Sequence, residues 1–400
     1  FVTEGYLGYK ITSNNGGYNM EDYKDVPKSE TAKDTVLAYS ASIDVGVTQT
    51  YTVEFVYAND ENVNQNVDQN KVLSGKLFIT EGTEEPSLYN RILADNPTRD
   101  TRTDFNTNYT EENTNTLFTS TESINGSTPV DVYYFAGQAQ NNWVKFGGFY
   151  WRIIRTNSDG SIRLLYHGTS TAATDSYIGT SAFNSVSTNP MYAGYMYGTS
   201  GSLDSNRINA NNSTIKTTID EWYKNNLLIN YDKYISKSSI YCNDRSIGSG
   251  TYSTTSSFNY APYQRIQNKT LTLNCANEMD RFTVDSSTGN GKLTYPIGLL
   301  SIDETSYAGS GFSSLKSLYL YNNSNNVSST GEGNWWTMSP ASWGSSQINY
   351  RILGSTNNGS ITSNPVDFSS YIRPVISLKG DNEWKSGDGS ATNPYEIVTE

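Results

Sequence analysis

The chain is poor in the residues that carry out chemistry, with one histidine and two cysteines among 400 residues. A lone His167 with no Ser or Cys nucleophile in a recognisable elbow makes a catalytic triad unexpected. There is no glycine-rich phosphate loop and no His/Asp/Glu set at metal spacing. Charge is scarce too, at 17% of residues and a net charge of −12, and no basic stripe runs through the chain. Nucleic acid and anionic membrane surfaces are therefore not expected partners. No apolar run approaches the roughly 20 residues needed to cross a bilayer, so membrane insertion is not expected either. The low charge also argues against disorder, whose signature is high charge with few aromatics.

Aromatic residues, by contrast, make up 13% of the chain, including 31 Tyr, within a background of Asn, Ser, Thr and Gly. Tyr offers a large contact area with a polar tip, which suits a core rim or an exposed recognition surface. An acidic, Lys-poor, Asn/Ser/Thr-rich surface fits an extracellular or cell-surface protein. The start at Phe1, without Met, suggests a mature product whose targeting segment was removed. Cys242 and Cys275 then read as one disulfide, with two buried free thiols as the alternative. The Asn-x-Ser/Thr sequons are those expected by chance in such a composition.

Organisation follows hydrophobic period. Residues 1–35 read as an arm, with Phe1, Leu7, Tyr9 and Ile11 on one face at strand spacing. Residues 36–82 read as a small antiparallel β-sandwich. In "YTVEFVY", Tyr51, Val53, Phe55 and Tyr57 face one way. Residues 83–128 read as a polar connector holding one short helix in "SLYNRILADNP". From residue 129 onward, "FYWRIIRTNSDGSIRLLY" predicts a hairpin. "STIKTTIDEWYKNNLL" predicts a helix with Ile215, Ile219, Trp222 and Tyr223 on one side. "LTYPIGLLS" reads as a buried strand, "IDETSYAG" as a second short helix, and the chain ends in strands. The expected class is mainly β with an α+β C-terminal domain that carries one or two helices.

The blocks "YYFAG", "NNWVKFGGFYWRIIR", "IGTSAFN", "STIKTTIDEWYKNNL", "CNDRS", "WWTMSP" and "YIRPVISL" fall in order across roughly residues 130–398. In this order they resemble uncharacterised surface proteins of low-GC Gram-positive bacteria and their wall-less relatives. The closing blocks are similar to the C-type-lectin-like fold in its formylglycine-generating-enzyme form. That resemblance implies a C-type-lectin-like domain over residues 129–400, with one of Trp335 and Trp336 in the core and the other beneath the surrounding loops. Formylglycine-generating activity does not carry over, because Cys242 and Cys275 lie in the wrong blocks. "YTVEFVYANDENVNQNVDQNKVLSGKLFI" is similar to camelysin/TasA-type matrix-fibre subunits, which implies self-assembly.

No catalytic residue is nominated. Asp303 and Glu304 sit where acids favour a helix N-terminus. Asp280 and Asp285 read as flanking a strand. Calcium is conceivable at Asn59–Asn62 or Gly387–Ser390, although neither matches a calcium loop. Candidate contacts for a glycan or a surface protein are Tyr192, Tyr195, Tyr197, Trp336 and Trp343. The expectation is an extracellular structural or adhesive protein, not an enzyme, whose arm inserts into the next copy to make a head-to-tail filament. The alternative is a monomeric binding module for glycan or protein.

Overall fold

The alternation between Leu7 and Ile11 does form a strand, and that strand pairs within its own chain. The computed structural model describes residues 6–14, 18–20, 22–26, 48–72, 87–105, 109, 111–124, 126–173, 176–310, 319–320, 334–344, 350–355 and 361–399. In it β1 (Leu7–Ser13) lies between β2 (Lys24–Asp25) and β3 (Tyr51–Tyr57), antiparallel to both. The register sets Tyr9 opposite Phe55 and Ile11 opposite Val53. Tyr9, Ile11 and Met20 are buried beneath Tyr18, Tyr51 and Val53. Phe55, expected to share their face, remains 48% exposed. Phe1, all of "LAYSASIDVG" and most of "KVLSGKLFIT" lie outside the described residues.

The chain divides into two compact units, Phe1–Glu85 and Pro86–Glu400. Residues 83–128 had been expected to form a connector. The short helix read there forms as α1 (Leu88–Asp95), but the polar remainder also supplies two strands, Thr98–Asp100 and Thr116–Glu122, to the larger unit. Ser87 caps α1 by accepting from the Asn90 amide at 3.2 Å, and Asn96 ends it. The stretch is polar because these strands need few apolar anchors. Leu117 and Phe118 are both 1% exposed and suffice.

The expected hairpin comprises strands Phe149–Thr156 and Ile162–Gly168, with Gly160 supplying the positive φ of 77° in its turn. Around it the first sheet of this unit runs in the order Val375–Leu378, Ile162–Gly168, Phe149–Thr156, Val130–Tyr134, Thr116–Glu122, Thr98–Asp100. Trp143–Phe146 also pairs with Phe149–Thr156. The unit's last segment returns to this strand: Trp143 N donates to Gly389 O at 2.8 Å, and Lys145 N to Tyr395 O at 2.9 Å. A second sheet runs Thr180–Ala182, Ser369–Tyr371, Trp335–Trp343, Phe258–Tyr260, Ile247–Ser249, with Tyr350–Ser355 and Ile361–Pro365 beside it.

Among the described residues five more helices lie between these strands: α2 (Leu203–Asn206), α3 (Thr214–Asn226), α4 (Leu228–Tyr231), α5 (Ala261–Asn268) and α6 (Ile302–Tyr307). Helix α3 is capped by Ser213 and buries Ile215, Ile219 and Tyr223 on one face. Each such side chain contributes about 1.5–3 kcal/mol. They join one core cluster with Trp151, Leu164, Trp335, Trp336 and Val375, so both sheets and α3 share a core. "LTYPIGLLS" is buried at Leu293, Ile297, Leu299 and Leu300 but is not a strand. Only Gly298 bridges to Val375, because Pro296 has no N–H to continue a ladder. The protein is thus mainly β, with several sheets and few helices. Among the described residues no helix is long and apolar enough to cross a membrane.

Candidate functional site

The stretch "NPMYAGYMYGTSG" lacks any clear period, yet it is tightly anchored. Asn189 accepts from Met191 N at 3.0 Å and starts a short 3-10 turn, Pro190–Ala193. Gly194 follows, where an added Cβ would lie 2.1 Å from Met196 O. Met196–Tyr197 then pairs antiparallel with Asn211–Asn212. Tyr192 and Tyr197 are half-buried and meet edge to face at 5.2 Å, next to the exposed residues Thr199, Ser200, Asn211 and Asn212. Tyr195 is fully buried, with its hydroxyl 3.5 Å from Ile297 O, so it belongs to the core and cannot line an exposed patch.

Beneath this loop sits a polar anchor that joins distant segments. Asn243, itself 0% exposed, accepts from Tyr195 N at 2.8 Å and donates to Met338 O at 2.7 Å, tying the loop to the tryptophan strand. Arg245 donates to Met196 O at 3.0 Å and to Asn209 Oδ1 at 2.9 Å. Its Nε reaches Asp280 Oδ1 at 2.8 Å, and Arg207 Nη2 reaches Asp280 Oδ2 at 2.7 Å. Asp280 is fully buried and therefore compensates two buried guanidiniums. Beside it the disulfide Cys242–Cys275 closes, with Cα atoms 5.8 Å apart. Tyr241–Cys242 pairs with Arg281–Phe282, so covalent and ionic anchors share one strand pair. Sequence reasoning missed this hub: Arg207 and Asp280 are 73 positions apart and no local pattern links them.

The tryptophans are structural. Trp335 and Trp336 are 2% and 0% exposed, and Trp336 Nε1 donates to Ser181 O at 2.8 Å. Trp343 is buried as well, so neither Trp336 nor Trp343 presents a face to a ligand. Of the carboxylates singled out in the sequence, Asp280, Asp303 and Glu304 are held in ion pairs, whereas Asp285 accepts from Ser287 N at 3.1 Å. Glu304 completes a capping box with Ser301 and takes Arg155 at 2.9 Å and Arg163 at 3.3 Å. Burial would raise its pKa, but those two guanidiniums hold it low. Asp303 pairs with Arg265 at 2.8 Å, yet burial outweighs that partner and raises its pKa. At the conceived calcium positions, Asp60 accepts from the Tyr6 hydroxyl and Asn62 N, and Asp388 accepts from Ser390 N. Among the described residues, no three His, Cys, Asp or Glu side chains gather to hold a metal.

His167 lies within strand Ile162–Gly168 and is 1% exposed. Neither ring nitrogen has a hydrogen bond of good geometry, and the Thr171 backbone offers only a weak pull. The ring meets Trp143 edge to face at 4.4 Å. Burial first, then the charges of Arg152 and Arg373, push its pKa down to about 2 from 6.5. The folded state therefore holds His167 neutral while the unfolded state takes up a proton below pH 6.5, so stability falls as pH drops through that range. At pH 4.5 this one group should cost about 3 kcal/mol. Urea unfolding at pH 7.5 and 4.5 should show a gap between the two pH values that shrinks by that amount in His167→Gln. An unchanged gap would rule the assignment out.

Comparison with protein families, with curated proteins and with solved structures finds no match for the chain.

Proposed function

We propose that the chain is an extracellular surface protein that works by recognition and display, not by chemistry. The observation that carries this reading is the Tyr192–Tyr197 pair, half-exposed on a loop whose backbone is fixed by Asn243, Arg245 and the disulfide segment. Rigid aromatic side chains on a pre-organised base lose little entropy on binding, which suits an adhesive contact. Neighbouring Asn and Ser groups add neutral hydrogen-bond donors and acceptors, the chemistry that meets a glycan or a polar protein surface. The disulfide supports an oxidising, extracellular setting. A C-type-lectin-like arrangement for the larger unit is supported by its closing segment, which bridges Ser87 near the unit's start and pairs along Trp143–Phe146.

Two forms of this reading differ in assembly. In one, β1 is given to the next copy, where it would recreate the β1–β3 ladder between chains and propagate a filament. In the other, the protein acts as a monomeric module, which the pairing of β1 within its own chain favours. One experiment with two variants tests both readings on native material. Tyr192→Ala/Tyr197→Ala should lower adhesion to glycan or cell surfaces at least about tenfold while leaving the unfolding midpoint nearly unchanged. Undiminished adhesion would sink the recognition reading. Deleting residues 1–13 should leave monomers by electron microscopy if β1 is exchanged, whereas filaments of unaltered length would rule exchange out.

A further inference from the structure

The three-stranded sheet of the smaller unit ends on β3, and among the described residues no strand pairs with its outer edge. Folded proteins guard such edges with a bulge, a proline or a lysine, which stop another chain from pairing there. β3 has none of these. "YTVEFVY" contains neither Pro nor Lys, and its register with β1 runs unbroken from Tyr51 opposite Ser13 to Tyr57 opposite Leu7.

The pairing with β1 also fixes which backbone groups lie on that edge. Ala58 N donates to Tyr6 O at 2.7 Å and Asn14 N donates to Thr50 O at 3.3 Å, so residues 50 and 58 turn toward β1. Backbone direction alternates along a strand, so Thr52, Glu54 and Val56 turn toward β1 as well. Val53 and Phe55 therefore direct N–H and C=O outward, where nothing among the described residues takes them. Phe55 is 48% exposed, and Glu54 is the only charged side chain in the strand.

We propose that two copies of the chain join edge to edge through β3, related by a two-fold axis at Phe55. Their two three-stranded sheets then become one continuous antiparallel sheet. A second copy fits this edge because the strand complements itself. In this register Phe55 lies opposite Phe55 of the second copy, Val53 opposite Tyr57, Glu54 opposite Val56 and Thr52 opposite Ala58. No two like charges meet, and the Phe55 pair gains the cross-strand aromatic contact that stabilises sheets. Sliding one copy by two residues the other way would set Glu54 against Glu54, which is unfavourable. Both copies use the same patch, so the interface closes at two and does not propagate. This assembly is neither the filament nor the monomer weighed above, and it does not rest on the recognition reading.

Sedimentation of the full chain over a concentration series, with three variants, tests it. The unaltered chain should reach twice its own mass and no more. Phe55→Lys sets two ammonium groups opposite each other and should weaken dimerisation about tenfold or more. In Phe55→Cys the opposed α-carbons would lie about 5.5 Å apart, within disulfide reach, so mild oxidation should link two copies covalently. Val53→Cys should stay unlinked, because its two copies lie about 13 Å apart along the strands in this register. Phe55 sits at the outer edge, so its replacement leaves the β1–β3 ladder in place. A monomer at every concentration, association that continues beyond two copies, or equal cross-linking at Val53 and Phe55 would each overturn the proposal.

Discussion

Asp280→Asn is expected to cost about 3–5 kcal/mol of stability, although it changes no more than an oxygen to an amide nitrogen. The carboxylate is fully buried and takes Arg207 at 2.7 Å and Arg245 at 2.7–2.8 Å. The amide removes the compensating charge and turns N–H donors toward guanidiniums that can only donate. Two cations are then left without a partner in a region of low dielectric. Because Arg245 also holds Met196 O, the damage should reach the tyrosine loop. Hydrogen exchange at Tyr195 and Met196 should quicken along with the fall in urea midpoint. A loss below about 1 kcal/mol would mean that Asp280 is not the hub described.

Replacing both cysteines by Ala should cost about 4 kcal/mol on the chain-entropy model, given their separation of 33 positions. This effect differs in kind from that of Asp280, since it acts by releasing the unfolded chain while native contacts persist. Adhesion through Tyr192 and Tyr197 should therefore survive in the double variant below its melting temperature. Combined with Asp280→Asn, the losses should add, because the bridge restricts the unfolded chain whereas the carboxylate acts in the native state. Equal unfolding midpoints with and without the bridge would contradict the assignment.

The parts of this structure that were legible in the sequence are those with a short period. The "TNSDG" hairpin, helix α3 and the short helix α6 all declare themselves within a few residues. The disulfide was legible because only one pairing is possible. Helix α5 was not, since Pro262 and Tyr263 obscure its apolar face and only Pro262 and Ile266 are buried. Nor were the strands hidden in residues 83–128, whose partners are far along the chain. In the candidate site, the aromatic loop was visible, but Tyr195 could not be told apart from Tyr192 and Tyr197. That distinction depends on Asn243 and Ile297, whose approach is set only by the tertiary fold. His167 shows the same limit: its neighbours Arg152 and Arg373 arrive from separate strands and loops.

The closing contacts around Trp143 have a kinetic consequence. Lys145 meets Glu396 across 251 positions of chain, and the same strand is held by Tyr395. Contacts so distant in sequence raise the contact order, which slows the search for the native state. A nascent chain would carry the Phe149–Gly168 hairpin long before the segment that covers its neighbour. During that interval Trp143–Phe146 offers an open edge to any other strand. The yield of folded protein should then be governed by how long that edge waits, and a chain shortened before Tyr395 would aggregate even though nearly all of its core residues were present.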